Sequence, residues 1–302
     1  MKKLILIDAN ALVHRAFHAL PPLTTRSGEL VNAVYGFASV LLKVINEMKP
    51  DYIAAAFDLA APTFRHIEYE EYKAKRPKAP DELYEQIPRA KEVLKAFSIP
   101  VMEKEGFEAD DLIGTLAKKF TKQGVETLIV TGDLDTLQLV NDKIKIFTLK
   151  RGLTDTVIYG KKEVEERYGL KPNQMIDYKA LRGDPSDNIP GVRGIGEKGA
   201  CALLKDFGTL ENIYRNLDKI KSKSIVEKLK TNKQMAFFSK RLATIQLKVP
   251  IKVNLRELDW QKNIKLNKVK ELFNQLNFQT LIRRLPGEKI EPEKKLEQTK
   301  LL

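Results

Sequence analysis

Apolar positions along the chain follow two periodicities. Four short runs, Leu4–Ile7, Tyr52–Phe57, Thr127–Val130 and Ile144–Leu149, are nearly continuous and bounded by polar residues, which reads as buried strands. Between them the spacing lengthens. Leu30, Val34, Phe37, Leu41, Leu42, Ile45 and Met48 recur at helical intervals, so that stretch is an amphipathic helix. Val93, Leu94 and Phe97 mark a second helix. Leu112, Ile113, Leu116, Ala117 and Phe120 mark a third, stopped near Gly124. Strands alternating with helices predict an α/β unit with a largely parallel sheet. After about residue 160 strand-like runs become rare. Residues 170–210 read as helix, Gly-rich turn, helix, and residues 212–233 carry seven cations against Asp218 and Glu227. The pattern predicts a first domain over 1–165, a mostly helical second domain over 166–285, and a flexible tail over 286–302 with four Lys and four Glu.

Charge narrows the function. The 302 residues hold 53 Lys and Arg against 40 Asp and Glu, a net charge of +13, and a polyanion such as nucleic acid is the natural partner. Composition also excludes. A single cysteine, Cys201, allows no intrachain disulfide, and three histidines with one cysteine cannot build a structural zinc site of the usual kind. Asp8 and Asn10 interrupt the N-terminal apolar run too early for a secretory leader. No apolar stretch reaches the ~18 residues of a membrane span. The expectation is a reduced, cytoplasmic protein, associated with the nucleoid, with no membrane partner.

Carboxylates then stand out against the basic background. Three of the four strand runs lead into an aspartate: Asp8, Asp58 and Asp133. In open α/β sheets the ligand crevice lies beyond the carboxyl ends of the strands, where these three would meet. One such Asp is commonly a helix N-cap; three at one end are harder to explain that way. Glu108, Asp110 and Asp111 open the third helix, where acids also suit the helix dipole. Asp135 follows Asp133 by two, and Asp184 and Asp187 sit in a loop by composition. Nine massed carboxylates repel one another and need cations. An oxygen-only donor set suits Mg²⁺ or Mn²⁺ rather than zinc. Two such ions form the clamp used for in-line attack on a phosphodiester.

Two further segments carry chemistry. Residues 194–199 match G-x-G-x-x-G, but a dinucleotide site needs a preceding strand and residues 187–193 are not one. The better reading is a tight hairpin between two helices, over Pro190–Gly196, whose glycine amides can form a nest for a phosphate. After Asp58, Tyr72–Lys78 holds four cations in seven residues, with Phe64, Tyr69 and Tyr72 interleaved. That suits a single strand of nucleic acid, bases stacking while the backbone is neutralised. It equally suits a solvated helix laced by Glu68, Glu70 and Glu71.

Together these residues resemble the bacterial 5′→3′ exonuclease/flap endonuclease family: the N-terminal nuclease domain of DNA polymerase I and its stand-alone relatives. The resemblance is carried by Leu-Ile-Asp8-Ala-Asn10 with Arg15-Ala-Phe-His, by Ala-Phe-Asp58 followed by Thr63-Phe-Arg-His, and by Tyr72-Lys-Ala-Lys-Arg76. Glu105–Asp111, Thr131–Val140 and Gly183–Val192 with Gly194-Ile-Gly196 continue it in family order. It implies a PIN-like α/β nuclease domain with a helical arch over about 64–90, then a helix–three-turn–helix (helix-hairpin-helix) DNA-binding domain. It implies Asp8, Asp58, Glu108, Asp110 and Asp111 at a first metal, and Asp133, Asp135, Asp184 and Asp187 at a second. It implies catalytic roles for Lys73, Arg76 and Arg65, and DNA contacts at Arg15, Tyr72, Gly191, Val192, Gly194, Ile195, Gly196 and Lys198. K⁺ at the hairpin is a further implication. One departure is visible: where the family often reads Gly-x-Lys-Thr-Ala, this chain has Glu197-Lys198-Gly199-Ala200, and a hydroxyl near the phosphate is lost. The expected activity is metal-dependent hydrolysis of DNA or an RNA primer at 5′ flaps and nicks, in replication and repair, by a monomer that works beside a DNA polymerase. The alternative from another class is a DNA-junction-binding module with weak or no catalysis.

Overall fold

The computed structural model describes residues 2–287; most of the tail expected over 286–302 therefore lies outside the described residues. A six-stranded sheet forms the centre, in the order β3-β2-β1-β4-β5-β6. Its strands are β1 (Lys3–Asp8), β2 (Tyr52–Ala56), β3 (Val101–Met102), β4 (Glu126–Val130), β5 (Ile144–Arg151) and β6 (Asp155–Tyr159). The first five run parallel, and β6 returns antiparallel to β5. Leu4 and Leu6 face one side of the sheet and Ile5 and Ile7 the other, and all four are buried. That is why the parallel strands read as continuous apolar runs.

Helices α1 (Ala9–Ala19), α2 (Asn32–Met48), α3 (Phe64–Glu68), α4 (Asp81–Tyr84), α5 (Ile87–Ala96) and α6 (Ala109–Thr121) belong to the first unit. α1, α2 and α5 cover the face of Ile5 and Ile7, and α6 covers the other. The second unit holds α7 (Lys161–Tyr168), α8 (Met175–Arg182), α9 (Glu197–Phe207), α10 (Leu210–Arg215), α11 (Lys223–Thr231) and α12 (Lys233–Ala243). Its apolar side continues the α6 face as one core: Leu181, Leu204 and Leu229 share a cluster with Leu112 and Leu116.

Two expected segments are laid out as follows. Residues 64–90, expected as a helical arch, carry short helices joined by turns. α3 is five residues long, turns follow through Arg76, and Pro77 and Pro80 precede the short α4. Lys73 adopts φ 57° in the middle, a conformation that stops an α-helix. The end of the expected second domain also belongs elsewhere. α13 (Trp260–Asn263), α14 (Leu266–Gln275) and α15 (Gln279–Ile282) return to the first unit. Trp260 Nε1 donates to the Phe97 carbonyl at 3.0 Å, and Phe273, Phe278 and Leu281 pack in the core of α2 and α5.

Candidate active site

The parallel strands deliver their carboxyl ends to one place. β1 runs straight into α1, and Asp8 caps that helix: its Oδ1 accepts the Ala11 N–H at 3.0 Å. Asp58, two residues past β2, accepts the Ala109 N–H in the first turn of α6 at 2.8 Å. After β4, Asp133 accepts the Asp135 N–H at 2.8 Å. Thr131, fully buried, ties two of these ends together. Its hydroxyl donates to Asp8 Oδ2 at 2.6 Å and accepts the Asp133 N–H at 2.9 Å. Asp8 and Asp133 are thus N-caps, the role that strand-end aspartates commonly fill, Asp58 instead reaches across to the first turn of α6, and all three face a shared cavity.

That cavity measures about 250 Å³ and is lined by Asp8, Asp58, Glu108, Asp110 and Asp133, with Asn10, Ala11, His14, Lys73 and Arg76 completing its walls. Beside it lies a second group: one oxygen from each of Asp135, Asp184 and Asp187 falls within 4.8 Å of the others. Burial, reinforced by the Asp58 charge, pushes the Asp8 carboxyl up to about 7. Burial and Asp133 push Asp135 up to about 8 against the pull of Lys179. Asp110 is raised well above the usual carboxylate range by burial and by four surrounding aspartates, Asp133 foremost, and its Oδ1 is buried without a hydrogen-bond donor. Buried orphaned oxygen and mutual repulsion are what a carboxylate cage shows toward a cation.

The chain's own cations lean on these acids. Lys73 Nζ lies 2.9 Å from Glu108 Oε1. Arg76 pairs with Asp187, and Lys179 bridges Asp135 and Asp184, 2.5 Å from the latter. Burial opposes the charge on Asp184, but Lys179 and the Ser186 donors outweigh it and hold the carboxyl below its ordinary range. The turn segment of Tyr72–Arg76 is pinned to the Asp184–Asp187 loop: the Lys73 N–H donates to the Asp187 carbonyl at 3.0 Å.

Several expected site residues stand elsewhere. Asp111 is fully buried and faces away from the cavity. Its two oxygens accept from Arg65 at 2.8 Å each, from the Gln246 N–H at 2.7 Å and from the Glu108 N–H at 3.1 Å. Arg65 is correspondingly 3% exposed and also donates to the Leu242 and Thr244 carbonyls. This pair joins α3, α6 and the chain after α12, so neither partner is placed to meet a metal or a phosphate. Tyr72 is 3% exposed and cannot stack on a base. Its hydroxyl lies 3.2 Å from Glu108 Oε2 and 3.1 Å from Asp187 Oδ2, bridging the two acid groups. In the hairpin between α8 and α9, Val192 and Ile195 are buried core residues. Gly191 is buried too: it has φ 67°, a Cβ there would come within 2.2 Å of the Gly183 nitrogen, and its N–H donates to Ser239 Oγ. Gly194, Gly196 and Lys198 are exposed, and Lys228 Nζ donates to the Gly194 carbonyl at 3.0 Å. Arg15 lines a separate cavity of about 700 Å³ with Gly132 and Leu134, the neighbours of Asp133, and donates to the Lys150 carbonyl at 3.0 Å.

Known proteins match both units. A 5′-3′ exonuclease N-terminal, resolvase-like domain matches residues 3–169, and a 5′-3′ exonuclease C-terminal SAM fold matches residues 170–265. The chain belongs to the 5′-3′ exonuclease family. Enzymes of that family are nucleases that hydrolyse phosphodiester bonds. DNA polymerase I of Caldicellulosiruptor bescii is 50% identical over 288 residues, which are 94% of this chain and 33% of that protein. DNA polymerase I of Bacillus subtilis is 45% identical over 292 residues, 97% of this chain and 33% of that protein. The chain thus spans about a third of the length of these relatives. Among solved structures, the 5′-exonuclease of bacteriophage T5 with bound zinc superposes with a TM-score of 0.70 at 20% identity, covering 92% of this chain and 99% of that one. The catalytic core of Rad2 in complex with DNA substrate superposes at 0.56 and 16% identity, covering 94% and 93%. At these identities the likeness shows the exonuclease fold alone.

Sequence reasoning passed over Asn10, His14, Thr131 and Lys179. The first two follow Asp8 by two and six residues on α1, and both line the acid cavity. Burial, with His18 and Arg76, lowers the His14 imidazole below its ordinary range. The signal for Lys179 was its position near the C-terminus of α8, five residues before Asp184.

Proposed function

We infer that this exonuclease-family chain cleaves DNA, or an RNA primer on DNA, at 5′ flaps and nicks with two divalent cations. The observation that carries the reading is the convergence of eight carboxylates at the strand ends in a protein of net charge +13. The donor set is all oxygen, so Mg²⁺ or Mn²⁺ fits better than zinc. Asp8, Asp58, Glu108, Asp110 and Asp133 would hold one ion, and Asp135, Asp184 and Asp187 the other. Such ions activate water and neutralise charge on the phosphate under attack.

The chain's own residues supply the rest. Asp8 and Asp58 are held rigid by helix N–H groups, so they present oxygens without reorganising. Lys73 and Arg76 line the cavity, so a phosphate entering it meets both cations. Their present partners, Glu108 and Asp187, are the acids assigned to the ions. Exposed Gly194, Gly196 and Lys198, together with the lysine-rich α11, form a surface for duplex backbone. K⁺ at the hairpin belongs to the same proposal; Lys228 Nζ donates to one carbonyl there, that of Gly194. The working unit in this reading is a monomer. A DNA polymerase as partner and the nucleoid as setting belong to the same proposal, which the likeness to DNA polymerase I supports. The alternative of a binding module without catalysis has no observation in its favour. A labelled 5′-flap duplex incubated with the protein tests the reading: Mg²⁺ should yield a product with a 5′-phosphate, and chelation should abolish it. Cleavage unaffected by chelation, or no cleavage by folded protein that binds the flap, would overturn it.

A further inference from the structure

Asn10, which lines the acid cavity, carries a buried oxygen without a hydrogen-bond partner. Asn10 stands in the first turn of α1, two residues after Asp8. Its Nδ2 donates to Asp58 Oδ2 at 3.2 Å, while Asp58 Oδ1 accepts the Ala109 N–H at 2.8 Å. The first turns of α1 and α6 therefore grip the same carboxylate from two sides. This contact also settles which way the Asn10 amide points, because a carbonyl oxygen turned toward Asp58 would meet another acceptor. The amide oxygen must face away from Asp58. That atom, Asn10 Oδ1, is buried and receives no hydrogen bond.

No donor of the surrounding wall reaches it in this structure. Asp8, Asp58, Asp110 and Asp133 are acceptors once ionised. Lys73 is engaged by Glu108 and Arg76 by Asp187. Buried acceptors are rarely left without a donor, and those that are commonly mark the place of a water or an ion. Mg²⁺ keeps several of its waters when bound by carboxylates, and each of those waters is a donor. A neutral amide also brings an oxygen to the cavity without adding to the repulsion among its acids.

We propose that Asn10 is a further member of the metal site: its nitrogen sets the orientation of Asp58, and its carbonyl oxygen accepts a hydrogen bond from a water of the hydrated cation. The proposal rests on the metal reading above. It makes Asn10 a positioning residue, acting on the ion through Asp58 and through water.

The test is a titration of Mn²⁺ into the full, DNA-free chain, with free Mn²⁺ read by electron paramagnetic resonance. Wild type, Asn10→Ala, Asn10→Ser and Asp133→Asn are compared, each checked for native folding by near-ultraviolet circular dichroism. Asn10→Ala should raise the Mn²⁺ dissociation constant about tenfold, the low end of the roughly 10–100-fold cost of losing an outer partner of a metal site. Asn10→Ser, which keeps a smaller oxygen, should fall between Asn10→Ala and wild type, and it carries the test if the alanine variant does not fold. A residue with only a structural role would lower the melting temperature and leave the Mn²⁺ constant at the wild-type value, which would overturn the proposal alone. Wild-type protein that takes up no Mn²⁺, or Asp133→Asn that takes it up unchanged, would instead overturn the metal assignment on which the proposal stands.

Discussion

Arg65 and Lys73 are both cations in contact with Glu108, yet the structure gives them opposite duties. Arg65 neutralises Asp111 in a site that water does not reach. Removing one partner of such a pair leaves a buried charge uncompensated, so Arg65→Ala should cost about 3–5 kcal/mol of stability, measured by urea unfolding. Lys73 lines the cavity, so Lys73→Ala should slow single-turnover cleavage by about 10²–10³-fold, the scale of one positioned electrostatic donor, with little change in unfolding midpoint. The acids carry a pH signature as well. Asp8 lies at about 7 and Asp135 at about 8 in the folded protein, above the 3.8 of an unperturbed Asp. The folded chain therefore keeps protons that the unfolded chain releases, and the stability tied to these groups is present at acid pH and lost as pH rises from about 4 to 8. Thermal melts without metal should show Asp8→Asn gaining on wild type across that window. The strand-end acids were legible in the sequence because each follows an apolar run. The burial of Asp111, Arg65 and Tyr72 was not, because residue type does not reveal which side chains of α3, of the turns after it and of α6 face the cavity and which face the second unit.

The elements divide in the same way. The hairpin between α8 and α9 was readable from its glycines, but their roles differ. Gly191 has φ 67° and no room for a Cβ, so Gly191→Ala should destabilise by more than about 1 kcal/mol. Gly196 has φ −92° and ψ −172°, with open space where a Cβ would stand, so a valine there is conformationally tolerated. Gly196→Val should keep its melting temperature and bind flap DNA more weakly in a fluorescence anisotropy titration, if duplex backbone approaches this surface. The segment after Asp58, expected as a helical arch from the family resemblance, carries cations and glutamates that also suit i,i+4 pairing. The pairing that forms is tertiary instead: Tyr72, Lys73 and Arg76 bind Glu108 and the Asp184–Asp187 loop, and Lys73 holds positive φ within that network. Strand β3 has two residues, and in β6 Asp155 and Thr156 precede the apolar residues; neither presents a run that periodicity can detect.

At the scale of the molecule, the parallel strands place their acids at one end of the sheet, and the second unit supplies Asp184, Asp187 and Lys179 to the same place. The two-unit division was visible in the change of texture near residue 160. The return of residues 259–285 to the first unit was not, because the amphipathic pattern of α14 says that a face is buried but not against what. The site is assembled from both units, so binding of flap DNA should weaken steeply with salt, with a log–log slope near −0.9 per phosphate neutralised. The central claim is that the strand-end acids hold the ions that cleave the phosphodiester. Its most direct test is single-turnover cleavage of a labelled 5′-flap duplex in saturating Mg²⁺ by Asp133→Asn beside wild type, each at protein concentrations well above its dissociation constant for the flap. The expected result is loss of most cleavage, with flap binding kept or tightened because one negative charge near the DNA is gone. Cleavage by Asp133→Asn at the wild-type rate would contradict the account.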